Sequence, residues 1–267
     1  MAFVTNGGVK IHYEIFGQGP PILLGHGFAS NMKTTSQLGV SQALMKDHRM
    51  IFVDARGYGE SDKPHDAQLY RADIIAKDFV SVLDDLKIQR AIYMGYSMGA
   101  AIGFQCLARY ALPRFNAMIL GGSSPYGDVL DADKQENKER LEGLRLAVTK
   151  GMEYYLTNYY EPRNGPLDPK NKAERLKHDP NAMLAMAAGI ATWPSAADIL
   201  PSIKIPLLVF GGELDPRFPN IKECVKYLPT ATFVSFPGEK HVGTMTDNES
   251  LLPHIQKFLE KVDLIAK

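Results

Sequence analysis

Ser97 stands in Gly95-Tyr96-Ser97-Met98-Gly99, a G-x-S-x-G pattern. The apolar run Ala91 to Met94 precedes it, and a stretch rich in small residues, Ser97 to Tyr110, follows. A sharp strand-to-helix turn needs small residues two before and two after its central side chain, because strand and helix nearly touch there. Such a turn lifts the Ser97 hydroxyl above a sheet and aims the Met98 backbone N–H at the same point. A hydroxyl alone is a weak nucleophile. It needs a base to take its proton and an acid to orient that base.

Three histidines follow Ser97: His178, His241 and His254. His178 sits beside Lys177 in a helical region, and His254 falls inside the last helical pattern, Leu251 to Leu264. His241 comes after the β-rich run Thr232 to Phe236, in Pro237-Gly-Glu-Lys-His241, so it is the expected base. The acid is expected in Gly211-Gly-Glu-Leu-Asp-Pro216, after the run Pro206 to Phe210. Asp215 is the first choice there. Glu213 competes but reads as a solvated loop acid, and Asp128, after the run ending at Leu120, is a further alternative. An oxyanion hole needs a second N–H from the loop after an earlier strand. Leu24-Gly25-His26-Gly27-Phe28 fits that loop, and the Phe28 N–H is the expected donor. The His26 ring reads as an organiser of this loop and part of the pocket wall, not as the base.

The elements that must position these residues are short apolar runs. They are Ile11 to Phe16, Pro21 to Leu24, Met50 to Val53, Ala91 to Met94, Phe115 to Leu120, Pro206 to Phe210 and Thr232 to Phe236. Most are continuous rather than alternating, as in strands covered on both faces. Helical spacing intervenes: Ile75, Phe79, Val82 and Leu86 line one face of Ala72 to Leu86. Strand–helix alternation predicts an α/β fold with a mostly parallel, doubly wound sheet. Ligands bind such sheets beyond the carboxyl ends of the strands, where the polar residues above fall.

Residues 125–200 break the rhythm and predict a helical insertion, with the α/β core at 1–124 and 201–267. Leu141, Leu144, Val148, Met152, Tyr155 and Tyr159 make one helical stripe. Asp179-Pro180 opens a further helix over Ala182 to Ala191. Met152, Tyr155 and Tyr159, with Met186 and Trp193, concentrate soft and aromatic surface there. They predict an apolar pocket roof, with Tyr96 and Val242 joining the wall from below.

Composition narrows the function classes. The chain has 267 residues, 45% apolar and 22% charged, which is globular. Thirty basic and 30 acidic residues balance to zero, giving no electrostatic case for nucleic acid or an anionic membrane. The two cysteines, Cys106 and Cys224, form no C-x-x-C pair and read as free thiols. The start, Met1 to Gly8, has no basic, apolar leader, and no apolar run nears the roughly 18 residues of a membrane span. A cytoplasmic address is expected. No H-e-x-x-h metal spacing and no phosphate loop is present, so no metal or cofactor is expected.

The chain resembles the α/β-hydrolase superfamily, in its serine-nucleophile, esterase-like branch with a helical cap. Gly95 to Gly99, His26-Gly27, the run Asp54-Ala-Arg-Gly-Tyr-Gly-Glu-Ser-Asp-Lys-Pro64 and the Asp215-to-His241 spacing carry the resemblance. The Asp54 run is similar to a loop of the epoxide hydrolase and haloalkane dehalogenase branch. Those relatives use aspartate where this chain has Ser97, which disfavours their chemistry. The resemblance implies that 125–200 is the cap.

The expected activity is hydrolysis of a small carboxylic ester of apolar or aromatic character, through an acyl-enzyme. Lactone cleavage and C–C bond hydrolysis use the same parts. The C–C hydrolases typically carry tryptophan after the catalytic histidine, where this chain has Val242. A small-molecule receptor that retains the triad is the alternative from another class.

Overall fold

The computed structural model describes residues 1–127 and 131–265. Eight strands build one sheet: β1 Ala2–Asn6, β2 Val9–Phe16, β3 Pro21–Gly25, β4 Arg49–Val53, β5 Ala91–Tyr96, β6 Phe115–Gly121, β7 Leu207–Gly212 and β8 Ala231–Phe236. Their order is β1-β2-β4-β3-β5-β6-β7-β8. The pairs β1–β2 and β2–β4 are antiparallel and the rest are parallel. The chain runs from β3 out to β4, then returns to β5 on the other side of β3. That reversal opens a crevice at the carboxyl ends of β3 and β5.

The helices are α1 Met32–Ser36, α2 Gly39–Leu44, α3 Ala72–Asp85, α4 Met98–Ala101 and α5 Ala108–Tyr110. A π-helical stretch, Ile102–Leu107, joins α4 to α5. Between β6 and β7 come α6 Asp131–Lys150, α7 Met152–Tyr155, α8 Glu161–Asn164, α9 Pro169–Arg175 and α10 Pro180–Ile190. The last three are α11 Phe218–Val225, α12 His241–Thr246 and α13 Asn248–Ile265.

Apolar side chains bury on both sheet faces. One cluster joins Leu23, Ile51, Tyr93 and Leu120 to Phe79 and Val82 of α3. The other joins Ile22, Phe52, Ile92 and Ile119 to Leu44 of α2 and Ile255 of α13. Double coverage is why the parallel strands read as unbroken apolar runs. β1 escaped that reading because it is a short edge strand with alternating exposure.

The region between β6 and β7 holds no strand among the described residues. Its predicted single stripe from Leu141 to Tyr159 is broken at Gly151, which takes φ 86° and separates α6 from α7. The side chains of Leu144, Met152, Met183, Met186 and Trp193 belong to the same buried cluster as the sheet. Trp193 also donates its indole N–H to the Tyr70 carbonyl at 2.8 Å. These helices are thus fastened to the sheet's own core.

Close packing at the β5–α4 turn leaves no room for a side chain. A Cβ on Gly99 would lie 2.1 Å from the Gly25 carbonyl oxygen, and one on Gly95 would lie 2.4 Å from the Gly99 carbonyl oxygen. Both obstacles are backbone, so neither can swing away. Gly99→Ala should therefore lower the unfolding free energy by about 2–3 kcal/mol. A urea-unfolding midpoint equal to the parent's would show that β3 and α4 are not pressed together as described.

Candidate active site

Ser97 follows β5 with φ 56° and ψ −117°, in the left-handed region that non-glycine residues avoid. Its N–H is held by the Gly121 carbonyl at 2.9 Å, and its own carbonyl accepts from Ala101 at 2.9 Å. Strain of this kind persists only when surrounding contacts impose it. Here the glycine packing imposes it, and the hydroxyl is left projecting over the sheet.

His241 begins α12, beyond β8. Its Nε2 lies 2.9 Å from Ser97 Oγ, and its Nδ1 lies 2.5 Å from Asp215 Oδ2. The carboxylate accepts a hydrogen bond from Nδ1–H, which leaves the Nε2 lone pair facing the hydroxyl. Such a row can move a proton from oxygen to nitrogen while the carboxylate balances the charge formed. Asp215 is buried, whereas Glu213 in the same loop is exposed. Asp128 lies outside the described residues.

Burial alone would push the Asp215 carboxyl up. The His241 donor and the neighbouring Arg217 outweigh it and hold the carboxyl below the ordinary carboxylate range. Arg217 donates its backbone N–H to Asp215 Oδ1 at 3.0 Å and an Nη1–H to the same oxygen at 3.3 Å. That Nη1 also lies 3.2 Å from His241 Nδ1. Arg217 is not among the residues expected at the site, though its place two residues after Asp215 is a usable signal. Tyr96 supports the histidine from beneath: its hydroxyl donates to the His241 carbonyl at 2.5 Å, and the two rings lie 5.2 Å apart.

The loop after β3 passes alongside. A Cβ on Gly27 would stand 3.7 Å from the Ser97 Cβ. Met98 is the first residue of α4, and the N–H of a first helical residue has no acceptor within its helix. Phe28 follows Gly27 and shares the wall of a cavity with Ser97.

The His26 ring is engaged on both nitrogens, receiving the Ala55 N–H at Nε2 (3.1 Å) and donating from Nδ1 to the Gly27 carbonyl (2.8 Å). It braces the loop and lines the cavity, and it makes no contact with Ser97 or Asp215 among the described hydrogen bonds. Asp54 braces from behind, accepting from Met32 N at 2.8 Å, Glu60 N at 3.1 Å and His12 Nδ1 at 2.8 Å.

His26, Tyr58 and His178 stack edge to face, with centroids 5.1 and 5.4 Å apart. Burial pushes His26 down and His178 down to about 4. Such imidazoles bind protons more readily unfolded than folded. The stability they contribute is whole above the ordinary value of 6.5 and is lost as pH falls through their lowered values, about 4 for His178. His178 alone should account for a loss on the order of 3 kcal/mol across that window. The Asp54 and Asp215 carboxyls, held below the ordinary range, lose their contribution only at lower pH. Thermal unfolding midpoints of the parent should fall between pH 7 and 4.5, and less so for His178→Phe. Parallel curves would refute a neutral buried His178.

The cavity at Ser97 has a volume of about 510 Å³. Its wall includes His26, Tyr96, Tyr155, Tyr159, His241 and Val242. Met152, Met186 and Trp193 do not line it, because their side chains turn into the core. The roof is also not the apolar surface expected. Arg140, Arg163, Arg175 and Arg217 line the cavity together with the tyrosines. Composition points to the methionines and aromatics alike, but helix packing decides which of them face the cavity.

The chain belongs to the α/β hydrolase family: the family model for the alpha/beta hydrolase fold matches residues 20–247. Among particular relatives, it is 30% identical over 219 residues to 3-oxoadipate enol-lactonase 2 of Acinetobacter baylyi, covering 78% of this chain and 77% of that protein. It is 26% identical to the AB hydrolase superfamily protein YisY of Bacillus subtilis, covering 94% and 95%. In fold it is similar to a thermophilic esterase from Thermogutta terrifontis, with a TM-score of 0.80, 24% identity and 97% of each chain covered. None of the described helices is long and apolar enough to cross a membrane.

Proposed function

We propose that this protein is a serine hydrolase of small carboxylic esters. One observation carries the reading: the hydrogen-bonded row from Ser97 Oγ through His241 to Asp215, at 2.9 and 2.5 Å, opening on a cavity of about 510 Å³. Ser97 attacks the ester carbonyl while His241 takes its proton. Asp215 keeps the imidazole in the tautomer that accepts at Nε2 and stabilises its charged form. The Phe28 and Met98 N–H groups bind the developing oxyanion, each contributing about 10²–10³ in rate. His241 then protonates the leaving alkoxide, and water releases the acyl group by the same path reversed.

The helices within 125–200 act as a cap over this cavity, with Tyr155 and Tyr159 against the apolar part of the substrate. A lactone is a cyclic ester and is opened by the same steps; the likeness to an enol-lactonase supports keeping lactones in the substrate set. The cysteines Cys106 and Cys224 are free and buried, in keeping with a reducing, cytoplasmic setting.

The test is steady-state hydrolysis of p-nitrophenyl esters from acetate to palmitate by the parent and by Ser97→Ala. Turnover that depends on Ser97 supports the reading, and its chain-length optimum sizes the cavity. No turnover of any ester by the parent would overturn it in favour of a receptor or a C–C bond hydrolase.

A further inference from the structure

The charged side chains around the cavity are lopsided. Four arginines line it, Arg140, Arg163, Arg175 and Arg217, against a single carboxylate, Asp168, among the described residues. Asp168 is already occupied as the N-terminal cap of α9, accepting from Lys170 N and Asn171 N at 3.1 Å each and from Asn171 Nδ2 at 2.5 Å. Arg163 is paired with Glu139, and Arg217 with Asp215.

Arg175 stands apart. No carboxylate of the described residues lies within ion-pair distance of it. The adjacent acid, Glu174, is taken by Lys33 at 2.7 Å and Lys177 at 2.8 Å. The Arg175 guanidinium lies 4.5 Å over the Tyr160 ring and donates one Nη1–H to the Ala29 carbonyl, while its buried Nε has no hydrogen-bond partner. A partly buried cation with an unmet donor is costly unless something anionic arrives. A guanidinium presents its donors as a planar fork that matches a carboxylate. Arg140, 5.1 Å over the Phe28 ring, adds a second positive charge on the same wall.

We propose that the ester cleaved at Ser97 carries a carboxylate at the end remote from the scissile carbonyl, and that Arg175, assisted by the field of Arg140, receives it. This rests on the serine hydrolase reading and names its substrate class: monoesters, thioesters or lactones of acids that keep a second, free carboxylate. The tyrosines flank the chain between the two ends. Remote binding of this kind orients the reacting carbonyl at Ser97.

The test compares length-matched esters: mono-p-nitrophenyl adipate and suberate against p-nitrophenyl hexanoate and octanoate, each corrected for spontaneous hydrolysis. The parent should prefer the anionic member by about tenfold to a hundredfold in kcat/KM, as a charged hydrogen bond allows. Arg175→Gln should bring the ratio toward unity mainly through KM, and Arg175→Lys should restore part of it. Added salt should erode the preference. Equal rates for the two esters in the parent, or a preference untouched in Arg175→Gln, would overturn the proposal. Calorimetric titration with free suberate gives a readout that needs no turnover. Binding lost in Arg175→Gln supports the carboxylate site even if no ester is hydrolysed, in which case only the hydrolase reading falls. Neutral-ester turnover that depends on Ser97, without suberate binding or anionic preference, overturns the carboxylate site alone.

Discussion

Ser97→Ala should fold as the parent does and hydrolyse p-nitrophenyl esters on the order of 10⁶-fold more slowly in kcat. The substitution deletes the Oγ that lies 2.9 Å from His241 Nε2 and leaves the rest of the row in place. With no hydroxyl to deprotonate, the imidazole has no nucleophile to activate, so the loss is that of the whole relay. Groups that act as a unit lose activity together. His241→Ala should therefore cost about as much, and the double variant little more. Residual catalysis, from the oxyanion donors and substrate binding, should stay about 10³–10⁴ above water. Retention of most activity in Ser97→Ala would sink the assignment.

Asp215→Asn should lower kcat on the order of 10⁴-fold while leaving the geometry intact. The Asp215 carboxylate can only accept, so it draws the proton of His241 to Nδ1 at 2.5 Å. An amide turned to donate would reverse the tautomer, placing a proton on Nε2 where the lone pair must face Ser97. It would also remove the negative charge that balances the imidazolium and Arg217, whose Nη1 lies 3.2 Å from Nδ1. Glu213→Gln is the control. That side chain is exposed at the loop surface, and its substitution should change kcat by no more than a few-fold. A larger loss in Glu213→Gln than in Asp215→Asn would mean that the wrong acid has been chosen.

Legibility differed from element to element, for physical reasons. The parallel strands β3 to β7 could be read because burial on both faces writes an unbroken apolar run. β1 could not, since an edge strand of five residues with alternating exposure resembles a loop. The break at Gly151 could not either. The apolar spacing continues past it, and the break follows from a backbone at φ 86° rather than from any change in periodicity. That Ser97, Asp215 and His241 come together could be expected because each lies just beyond a strand end, in a loop whose composition is locally constrained. Gly95 and Gly99 are the clearest case, with their Cβ positions filled by backbone.

Residue types and spacing were enough for the doubly covered strands, the sharp turn at Ser97 and the chain order Ser97, Asp215, His241. These follow from local rules: which residues tolerate a tight turn, and which runs can be buried on two faces. What lines the cavity followed from packing between segments far apart in the chain. Met152, Met186 and Trp193 entered the core, while Arg140, Arg163, Arg175 and Arg217 came to the wall from four separate segments. A cation's role depends on which charges the fold brings beside it, and those partners lie far away in the chain.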